Sequence, residues 1–438
     1  MKGGKVVRFT ITTLGCKVNS YESNYYKEQL EKHGHQMVEV NSPCDVCIIN
    51  TCTVTNTAAA KSRQKIHSLK KTHPNALIVV VGCYVQHADQ QEREKLNVDL
   101  IIGANHKNEL VQRIEELLKD HVRKDLVEDI RDFTSFEEMP IHVYESKHRA
   151  FLKIEDGCNQ FCSYCAIPYA RGRQRSLSKE KVIEIAQSLS DKGHYEIVLT
   201  GIHTGRYQDG DTTLAKLLKE LLEKTNERVQ YRISSIEITE VDDELIELMK
   251  QTTRICHHLH IPIQSGCNET LQRMNRPYTI EEFKQRLDHI RNEIPDISIS
   301  TDVIVGFVQE SEEEFETTQK NLEDCAFSFL HVFPYSKRNG TAASRMKGEV
   351  HGSIVKERVN KLLALSNKLR QNDMERFTNL EVLIEKQDQD GVYHGYCQQY
   401  HPVKIYSDVP PASRIHVTWD EIKDHTYIVS KKEGSLCD

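Results

Sequence analysis

Short apolar, β-branched runs alternate with longer amphipathic stretches through most of the 438-residue chain. This alternation indicates parallel strands joined by helices. In residues 1–118 it predicts an open parallel α/β sheet domain. The strands expected there are 6–12, 46–50, 77–81 and 100–102, and the helices are 19–32, 58–71 and 109–119.

The same alternation restarts at residue 150, after a charged segment, 119–149, that we interpret as a linker. Six βα units follow. Because a closed barrel of this kind has eight, six units predict an open, partial (β/α)6 barrel over residues 150–376. Its expected strands are 151–155, 197–200, 231–236, 258–261, 297–305 and 327–333. Its expected helices are 179–190, 214–223, 242–250, 280–293, 312–323 and 353–376.

Residues 377–438 change character, with short strands separated by turn residues such as Asp390-Gly391 and Pro410-Pro411. This pattern predicts a small antiparallel β-barrel of the type that often holds oligonucleotides. The expected strands are 382–384, 393–396, 403–406, 415–419 and 427–429. Three folded domains in all suit a chain of this length.

The charge balance and the hydropathy pattern restrict where the protein acts. The chain has 58 Lys and Arg against 65 Asp and Glu, a net charge of −7. This balance argues against general coating of nucleic acid but permits a local basic groove. No apolar run approaches the roughly 18 residues that a membrane helix needs, and residues 1–10 lack the apolar core of a signal peptide. We therefore expect a cytoplasmic protein without a membrane partner.

Thirteen cysteines are unusual for a reducing compartment, where structural disulfides are rare. Three of them form the spacing Cys158-x₃-Cys162-x₂-Cys165, directly after the first barrel strand. Three thiolates on one loop can hold three irons of a 4Fe–4S cube and leave the fourth iron open. That iron can chelate S-adenosylmethionine (SAM), and an electron from the cluster can split SAM to a 5′-deoxyadenosyl radical. A zinc site would lack its second pair of ligands.

A second set, Cys16, Cys52 and Cys83, is dispersed, with separations of 36 and 31 residues. Each cysteine stands within four residues of the end of a predicted strand. In an open α/β sheet the carboxyl ends of neighbouring strands converge on one crevice. Three thiols brought there would suit another cluster, although a cysteine after a strand is often only a buried thiol.

The other seven cysteines are expected to be bystanders. Cys44 and Cys47 form a C-x₂-C pair, which in principle suits a redox or zinc role, but Cys47 falls at the start of a strand. The remaining five are isolated in sequence: Cys256, Cys267, Cys325, Cys397 and Cys437.

Nine further stretches carry a resemblance to a known family. They are 13–19 (TLGCKVN), 50–56 (NTCTVTN), 82–84 (GCY), 168–173 (PYARGR), 199–205 (LTGIHTG), 234–237 (SSIE), 258–266 (HLHIPIQSG), 301–307 (TDVIVGF) and 331–336 (HVFPYS). With the cysteine loop, they resemble the radical-SAM methylthiotransferases over essentially the whole chain. The closest resemblance is to the branch that acts on N6-threonylcarbamoyladenosine in tRNA.

The resemblance implies that Cys16, Cys52 and Cys83 hold a second 4Fe–4S cluster and that the C-terminal barrel is a TRAM-type RNA-binding domain. It implies methylthiolation of adenine C2 beside the anticodon, at position 37. The loop cluster would make the radical, the N-terminal cluster would present sulfur, and a second SAM would methylate it. The implied partners are a tRNA anticodon stem-loop, an electron donor such as flavodoxin or ferredoxin, and a sulfur source.

Two alternatives stay open. The first is the same chemistry on isopentenyl-adenosine in tRNA or on a ribosomal-protein aspartate. The second is a two-cluster electron-transfer protein with an RNA-binding tail, which would leave the partial barrel and the loop motifs unexplained.

One glycine and several polar residues at the ends of the predicted barrel strands are candidate SAM contacts, because barrel enzymes bind ligands at that edge. A plain turn glycine or a structural ion pair is the alternative explanation for Gly201 and Asp302 respectively. The candidates are Gly201, Ser234, Ser235, Glu237, Gln264, Ser265 and Asp302.

Phosphate neutralisation must come from local positive charge. Residues 332–377 carry a net charge of +6, whereas residues 378–438 carry −4. A solvated helix face is an equally good explanation of the basic segment. The candidate RNA contacts are Arg171, Arg173, Arg175, Lys337 and Arg338. Aromatic residues that could stack on bases, some of which must instead be core, are Tyr393, Tyr396, Tyr400, Tyr406, Trp419 and Tyr427.

The chain departs from the family pattern after the fifth barrel strand. The family continues Gly-Phe-Pro-Gly-Glu, whereas this chain has Gly306-Phe307-Val308-Gln309-Glu310. Loss of Pro and Gly changes the backbone angles open to the turn, so we expect the loop to be repositioned. Cys267 also stands where a small polar residue is more usual.

Overall fold

A computed structural model describes residues 6–142, 144, 148–407 and 413–430. The chain divides into two compact units. The first unit comprises Met1–Val143, Lys153–Ser178 and Ser336–Ser344. The second unit comprises Tyr144–Leu152, Lys179–Tyr335 and Arg345–Asp438.

The first unit is built on a six-stranded, all-parallel sheet with the order β2-β1-β3-β4-β5-β6. Its strands are β1 (Arg8–Thr13), β2 (Gln36–Met37), β3 (Val46–Thr51), β4 (Leu77–Gly82), β5 (Leu100–Ile102) and β6 (Lys124–Leu126). Its helices are α1 (Lys17–Lys32), α2 (Asn56–Thr72), α3 (Cys83–His87), α4 (Gln90–Leu96) and α5 (Leu110–Asp120). The predicted parallel sheet is confirmed, and β2 and β6 extend its two edges.

Burial explains why the positions of the central strands could be predicted from the sequence. Every residue of β3 is buried, and β4 is buried from its second residue onward. Strands covered on both faces consist of nearly continuous apolar runs. The edge strands β2 and β6 are short and partly exposed, so they carry no such pattern.

The first unit also contains a small closed loop. Strands β8 (Glu155–Asp156) and β9 (Arg175–Ser176) pair antiparallel, and helix α6 (Ile167–Arg171) lies between them. This hairpin closes residues 157–174 into a compact loop that contains all three cysteines of the C-x₃-C-x₂-C motif.

The second unit contains the predicted partial barrel of six parallel strands. Two three-stranded sheets, β7-β10-β13 and β14-β15-β16, are joined by the parallel bridges Tyr231–Ile255 and Ser235–His260. The strands are β7 (Arg149–Lys153), β10 (Glu196–Thr200), β13 (Gln230–Ile233), β14 (His258–His260), β15 (Ser298–Val305) and β16 (Phe329–Pro334). A short hairpin consists of β11 (Gln208–Asp209) and β12 (Thr212–Thr213). The helices are α7 (Lys179–Asp191), α8 (Leu214–Lys224), α9 (Asp243–Lys250), α10 (Asn268–Arg273), α11 (Ile280–Glu293), α12 (Glu312–Asp324) and α13 (Gly352–Glu375).

A C-terminal sheet completes the second unit, with the order β20-β17-β18-β19-β22-β21. Its strands are β17 (Asn379–Gln387), β18 (Tyr393–Cys397), β19 (Pro402–Ile405), β20 (Arg414–Thr418), β21 (Glu421–Lys423) and β22 (Thr426–Val429). The β19–β22 pair is parallel, so the predicted antiparallel barrel is an antiparallel-rich curled sheet with one parallel pair. The predicted turn at Pro410-Pro411, and Cys437, lie outside the described residues.

Among the described residues, no helix combines the length and the apolar character needed to cross a membrane.

Candidate functional site

Three thiols converge at the carboxyl edge of the first unit's sheet. Cys16, Cys52 and Cys83 follow β1, β3 and β4, which are neighbours in the sheet. Gly15 makes the approach possible: its φ is +114°, and a Cβ there would lie 2.8 Å from the Cβ of Cys52. The structure thus brings the dispersed cysteines together where the strand pattern predicts.

Asn19, in the first turn of α1, fixes the loops that carry two of these thiols. Its side-chain Nδ2 donates to the carbonyl oxygens of Leu14 (2.7 Å) and Thr51 (2.9 Å). The Sγ of Cys16 lies 3.6 Å from the Oδ1 of the same side chain. One buried amide therefore ties the end of β1 to the end of β3 and contacts a candidate ligand. Sequence reasoning included Asn19 in a motif but gave it no role.

The C-x₃-C-x₂-C loop has a defined backbone. The amide of Cys158 donates to the carbonyl of Gly172 (3.1 Å), and the amide of Cys165 donates to the carbonyl of Cys162 (3.0 Å). Gly157 adopts a φ of +85°, and a Cβ there would lie 2.1 Å from the carbonyl oxygen of Arg173. The three thiols are half-buried.

Arg171, in the same loop, reaches the other set of thiols. Its Nε donates to the Sγ of Cys83 (3.1 Å) and its Nη2 donates to the Oδ1 of Asn19 (2.8 Å). Its Nη1 contacts Glu22 (3.0 Å) and Asp156 (3.1 Å). The guanidinium is almost completely buried. Within the first unit it therefore connects the C-x₃-C-x₂-C loop to the cysteine that follows β4.

The charged residues around Arg171 favour a thiolate at Cys83. Lys107 contacts Glu22 at 2.6 Å, and Lys153 contacts Asp156 at 2.6 Å. Burial alone would raise the pKa of Glu22, but the surrounding cations lower the pKa to about 2. Asp156 likewise has a pKa well below its usual range. Arg171, Lys107 and Lys153 thus face Glu22 and Asp156, and the Arg171 guanidinium would also stabilise a thiolate at Cys83.

Burial favours the protonated form of two of these thiols when no metal is bound. Burial raises the pKa of Cys52 to about 11. Burial also raises the pKa of Cys83, although Arg171 opposes the shift. Binding of a metal requires the thiolate, so loading the site would release protons.

The predicted RNA contacts divide into buried and exposed side chains. Arg171 is saturated by protein partners, so the prediction that it contacts phosphate is replaced by a role beside Cys83. Arg175 is also buried, and its Nη2 donates to the carbonyl of Arg171 (2.9 Å). Arg338 is buried and donates to the Oδ1 of Asn56 (2.6 Å) and to the hydroxyl of Thr53. Arg173 and Lys337 are exposed, and for these two the prediction stands.

The predicted SAM contacts lie in the second unit and differ in accessibility. Gly201, Ser235 and Gln264 are half-buried at strand ends, as is Asp302 within β15. Ser234 is buried, with its hydroxyl 3.4 Å from that of Thr200.

The side chains of two predicted SAM contacts bind other side chains of the protein. Glu237 forms an ion pair with Arg276. Ser265 is completely buried, with its hydroxyl 3.1 Å from that of Thr318. We therefore withdraw Ser265 as a cofactor contact.

A polar patch that was not singled out from sequence lies on β14, β15 and β16. The Nε2 of His260 lies 3.2 Å from Asp302, and its Nδ1 lies 2.9 Å from the hydroxyl of Ser300. Asp302 pairs in register with His331 on the next strand. The signal was available in the motif His258-Leu259-His260, because alternate residues of a strand share one face.

The loop that departs from the family pattern is well ordered by hydrogen bonds. Gln309 adopts a φ of +66°, a conformation that usually favours glycine. Its amide donates to the carbonyl of Gly348 (2.8 Å), and its Nε2 donates to the carbonyl of Lys347 (2.9 Å). Glu310 accepts from the amide of Gly306 (2.8 Å) and pairs with Arg358 (2.8 Å). These contacts stabilise a turn that Gly would otherwise form without strain.

The aromatic residues of the C-terminal sheet are mostly engaged. Tyr393 and Tyr427 are buried in the core of the sheet, and the Trp419 Nε1 donates to the carbonyl of Phe377 (2.5 Å). Tyr396 and Tyr400 stack on one another and pack against arginines. Tyr406, 45 % exposed, is the most accessible of the six.

Comparisons with known proteins place these thiols in two recognised domains. Residues 152–322 match the model of the radical SAM superfamily. Residues 8–103 match the model described as uncharacterized protein family UPF0004. The radical SAM methyltransferase TsrM from Kitasatospora setae matches with a TM-score of 0.54, covering 74% of this chain and 72% of that chain. At 12% identity this likeness shows the fold alone. The match over the barrel defines a radical-SAM protein, a class that uses SAM with a 4Fe–4S cluster.

Curated relatives narrow the class. The threonylcarbamoyladenosine tRNA methylthiotransferase MtaB of Bacillus subtilis (strain 168) is 41% identical over 89% of this chain and 88% of its own length. The tRNA-2-methylthio-N(6)-dimethylallyladenosine synthase of Thermoanaerobacter sp. (strain X514) is 36% identical over 87% of this chain and 83% of its own length. The chain belongs to the radical-SAM tRNA methylthiotransferase family, and the resemblance drawn from its motifs is confirmed.

Proposed function

We propose that the protein converts N6-threonylcarbamoyladenosine at position 37 of tRNA to its 2-methylthio derivative. The observation that carries the proposal is the presence of two three-thiol sets in one compact unit, joined by Arg171. The names of the most similar curated relatives favour the threonylcarbamoyl substrate.

The residues present fit two iron–sulfur clusters. Each thiol set has three cysteines on loops held by backbone and amide hydrogen bonds. Three ligands would leave one iron of each 4Fe–4S cluster open. We assign one cluster to Cys158, Cys162 and Cys165, and the other to Cys16, Cys52 and Cys83. When bound, the first would supply the electron that cleaves SAM, and the second would carry the sulfur to be transferred.

The chain's own residues contribute positioning and charge. The β8–β9 hairpin fixes the spacing of the first three thiols. Asn19 holds Cys16 and the end of β3, while Arg171 donates to Cys83 and offsets the charge of a thiolate there. The barrel strand ends offer Gly201, Ser234 and Gln264 as SAM contacts, with Ser235 and Asp302 at the same edge.

The reaction also needs groups from outside the chain. SAM cleavage consumes an electron, so a reduced carrier such as flavodoxin or ferredoxin is required, and each turnover consumes a sulfur atom that a donor must replace. Arg173 and Lys337 are the exposed cations that we assign to tRNA phosphates. Because the proposed substrate is tRNA, we infer that the protein acts in the cytoplasm.

The deciding experiment is mass spectrometry of tRNA nucleosides from cells that lack the gene, complemented with the wild-type chain or with Cys158→Ala. We expect the methylthio form of threonylcarbamoyladenosine only with the wild type. Its persistence without the gene, in the absence of a second such enzyme, would overturn the proposal. Iron analysis of the reconstituted protein should give about eight irons per chain, and about four would exclude the second cluster.

A second substrate is favoured by a specific observation. A relative named for the dimethylallyladenosine reaction is almost as similar, at 36% identity. The same nucleoside analysis separates the two candidates. Loss of the methylthio form of isopentenyladenosine, with the threonylcarbamoyl product unchanged, would transfer the assignment to that substrate.

A further inference from the structure

A third group of metal-ligating side chains lies in the first unit, away from both thiol sets. Cys44 precedes β3, Cys47 is the second residue of β3, and His73 directly follows α2. Their Sγ and ring nitrogen atoms all lie within 4.8 Å of one another. The two sulfurs are 3.4 Å apart, and the Sγ of Cys44 is 3.6 Å from the Nδ1 of His73.

The histidine of this group is held in an orientation that suits a ligand. Its Nε2 lies 2.8 Å from the carbonyl oxygen of Val40. A carbonyl only accepts hydrogen bonds, so Nε2 carries the proton and the lone pair of Nδ1 points toward the sulfurs. Metal-bound histidines commonly show this arrangement, with the second nitrogen donating to a carbonyl.

The backbone around His73 is fixed as well. Its amide donates to the carbonyl of Leu69 (2.8 Å), which caps the end of α2, and its carbonyl accepts from the amide of Ala76 (3.1 Å). Cys47, on β3, lies within the apolar core, whereas Cys44 is half-buried at the margin of that core. The three ligand atoms are thus arranged before any ion arrives.

We propose that Cys44, Cys47 and His73 bind one Zn²⁺ ion. Thiolate and imidazole are the ligands that zinc prefers, and zinc binds them tetrahedrally at about 2.3 Å and about 2.1 Å. Those bond lengths place two sulfurs roughly 3.8 Å apart and a sulfur and a nitrogen roughly 3.6 Å apart. The Cys44–Cys47 and Cys44–His73 separations, 3.4 Å and 3.6 Å, differ from these values by only a few tenths of an ångström. A water molecule can complete the fourth position beside the half-buried Cys44.

This zinc site would be separate from the proposed cluster on the same strand. Cys47 and Cys52 are five residues apart along β3, which corresponds to about 16 Å. The ion would join the start of β3 to the end of α2. Because β3 leads to Cys52 at its other end, the site would stabilise the element that presents a cluster ligand without touching the cluster.

The principal alternatives are a disulfide and an ordinary pair of buried thiols. The sulfur–sulfur distance of 3.4 Å is far longer than the ~2.05 Å of a disulfide bond. Two thiols buried only for packing would not need a histidine whose free nitrogen is turned toward them. Both alternatives predict a chain without zinc, so metal analysis distinguishes them from the proposal.

The test uses the full chain, purified without oxygen from zinc-containing medium and carrying its iron–sulfur clusters. Elemental analysis should give one zinc per chain in addition to the iron. X-ray absorption at the zinc edge, which is blind to iron, should show two sulfur neighbours at about 2.3 Å and a histidine nitrogen. His73→Gln and Cys47→Ala should each reduce zinc at least fivefold and leave the iron content unchanged.

Two controls keep the result specific. Cys325→Ala removes a buried cysteine of the second unit and should leave zinc at one per chain. Cys83→Ala should reduce iron and leave zinc unchanged. If Cys47→Ala fails to fold, Cys44→Ser removes the half-buried ligand instead. Wild-type protein without zinc, zinc that persists in these variants, a different metal at one per chain, or a mass 2 Da lower from a Cys44–Cys47 disulfide would each overturn the proposal.

Discussion

At the level of single residues, Arg171 is the buried charge that connects the cysteine loop to Cys83. It is buried, it donates to Cys83 and Asn19, and it offsets Glu22 and Asp156. We expect Arg171→Gln to lose the cluster on the N-terminal cysteines, so iron falls from about eight to about four per chain. Methylthio product should fall at least a hundredfold, whereas SAM cleavage, measured as 5′-deoxyadenosine, should persist.

Two variants separate this effect from general unfolding. Removing the guanidinium breaks its buried ion pairs with Glu22 and Asp156, and breaking a buried pair typically costs about 3–5 kcal/mol. Arg171→Lys keeps the charge but has too few donors in the right geometry, so it should fold better and still lose iron. Arg173→Gln, two residues away and exposed, should retain all its iron. Full iron in Arg171→Gln would show that the guanidinium is not needed for the cluster.

Arg173 makes a complementary prediction about RNA. Its side chain is exposed on the cysteine loop, with no salt bridge among the described residues. Arg173→Ala should weaken tRNA binding across sequences and lower the slope of log K against log salt by about 0.7–0.9, the effect of one phosphate contact. Filter-binding titrations at several salt concentrations measure the slope. Arg131→Ala, an exposed arginine paired with Asp129, is the control and should leave the slope unchanged.

At the level of elements, the β8–β9 hairpin decides whether the cysteine loop can close. Gly157 has a positive φ, and a Cβ there would meet the carbonyl of Arg173 at 2.1 Å. Gly157→Ala should therefore open the loop, abolish SAM cleavage and remove about four irons per chain. Gly193→Ala is the matched control, because its φ is +86° and nothing lies within 4 Å of the added Cβ. Equal losses in both variants would mean that backbone strain alone is responsible.

Elements with a strong local pattern could be predicted, and pairings between distant segments could not. The runs at β3 and β4 are apolar because both faces are covered, so their positions and the strand-end cysteines followed from sequence. The β8–β9 pairing rests on four polar or charged residues and has no periodic signal. His73 stands 26 residues from Cys47, so the C-x₂-C pair alone could not indicate the third ligand. Likewise, the burial of Arg171 depends on contacts with α1, which no local motif encodes.

At the level of the whole chain, the second unit joins its C-terminal sheet to the barrel through buried charge. The carboxylate of Glu196 on β10 contacts Arg149 (2.6 Å) and Arg232 (2.9 Å). Arg232 also donates to the carbonyl of Gln398 (2.9 Å) and stacks on Tyr400. The tyrosines expected to bind RNA bases therefore belong partly to an intramolecular junction. Arg149 also pairs with Glu385 on β17, so a barrel arginine binds a carboxylate of the C-terminal segment, whose net charge is −4.

This junction should weaken in acid. Burial alone would raise the pKa of Glu196, but Arg232 and Arg149 lower it from 4.5 to about 2. A depressed carboxyl pKa stabilises the fold above pH 4.5, by about 3 kcal/mol here, and this contribution is lost as the pH falls toward 2. Glu196→Gln should lower the free energy of unfolding of the sheet by a similar amount at pH 7. The difference in this free energy between the variant and the wild type should become smaller below pH 4.5.

Trp419 is the chain's one tryptophan and lies next to β20, so its fluorescence during urea unfolding reports on the C-terminal sheet. Glu220→Gln, which changes a half-buried surface carboxylate paired with Lys179 and Lys224, is the control and should change stability by less than about 0.5 kcal/mol. The test compares midpoints at pH 7, 4.5 and 3. A difference between Glu196→Gln and wild type that stayed constant with pH would show that the lost interaction is packing rather than the charge of Glu196. The barrel would then hold the sheet mainly through Tyr400 and its neighbours.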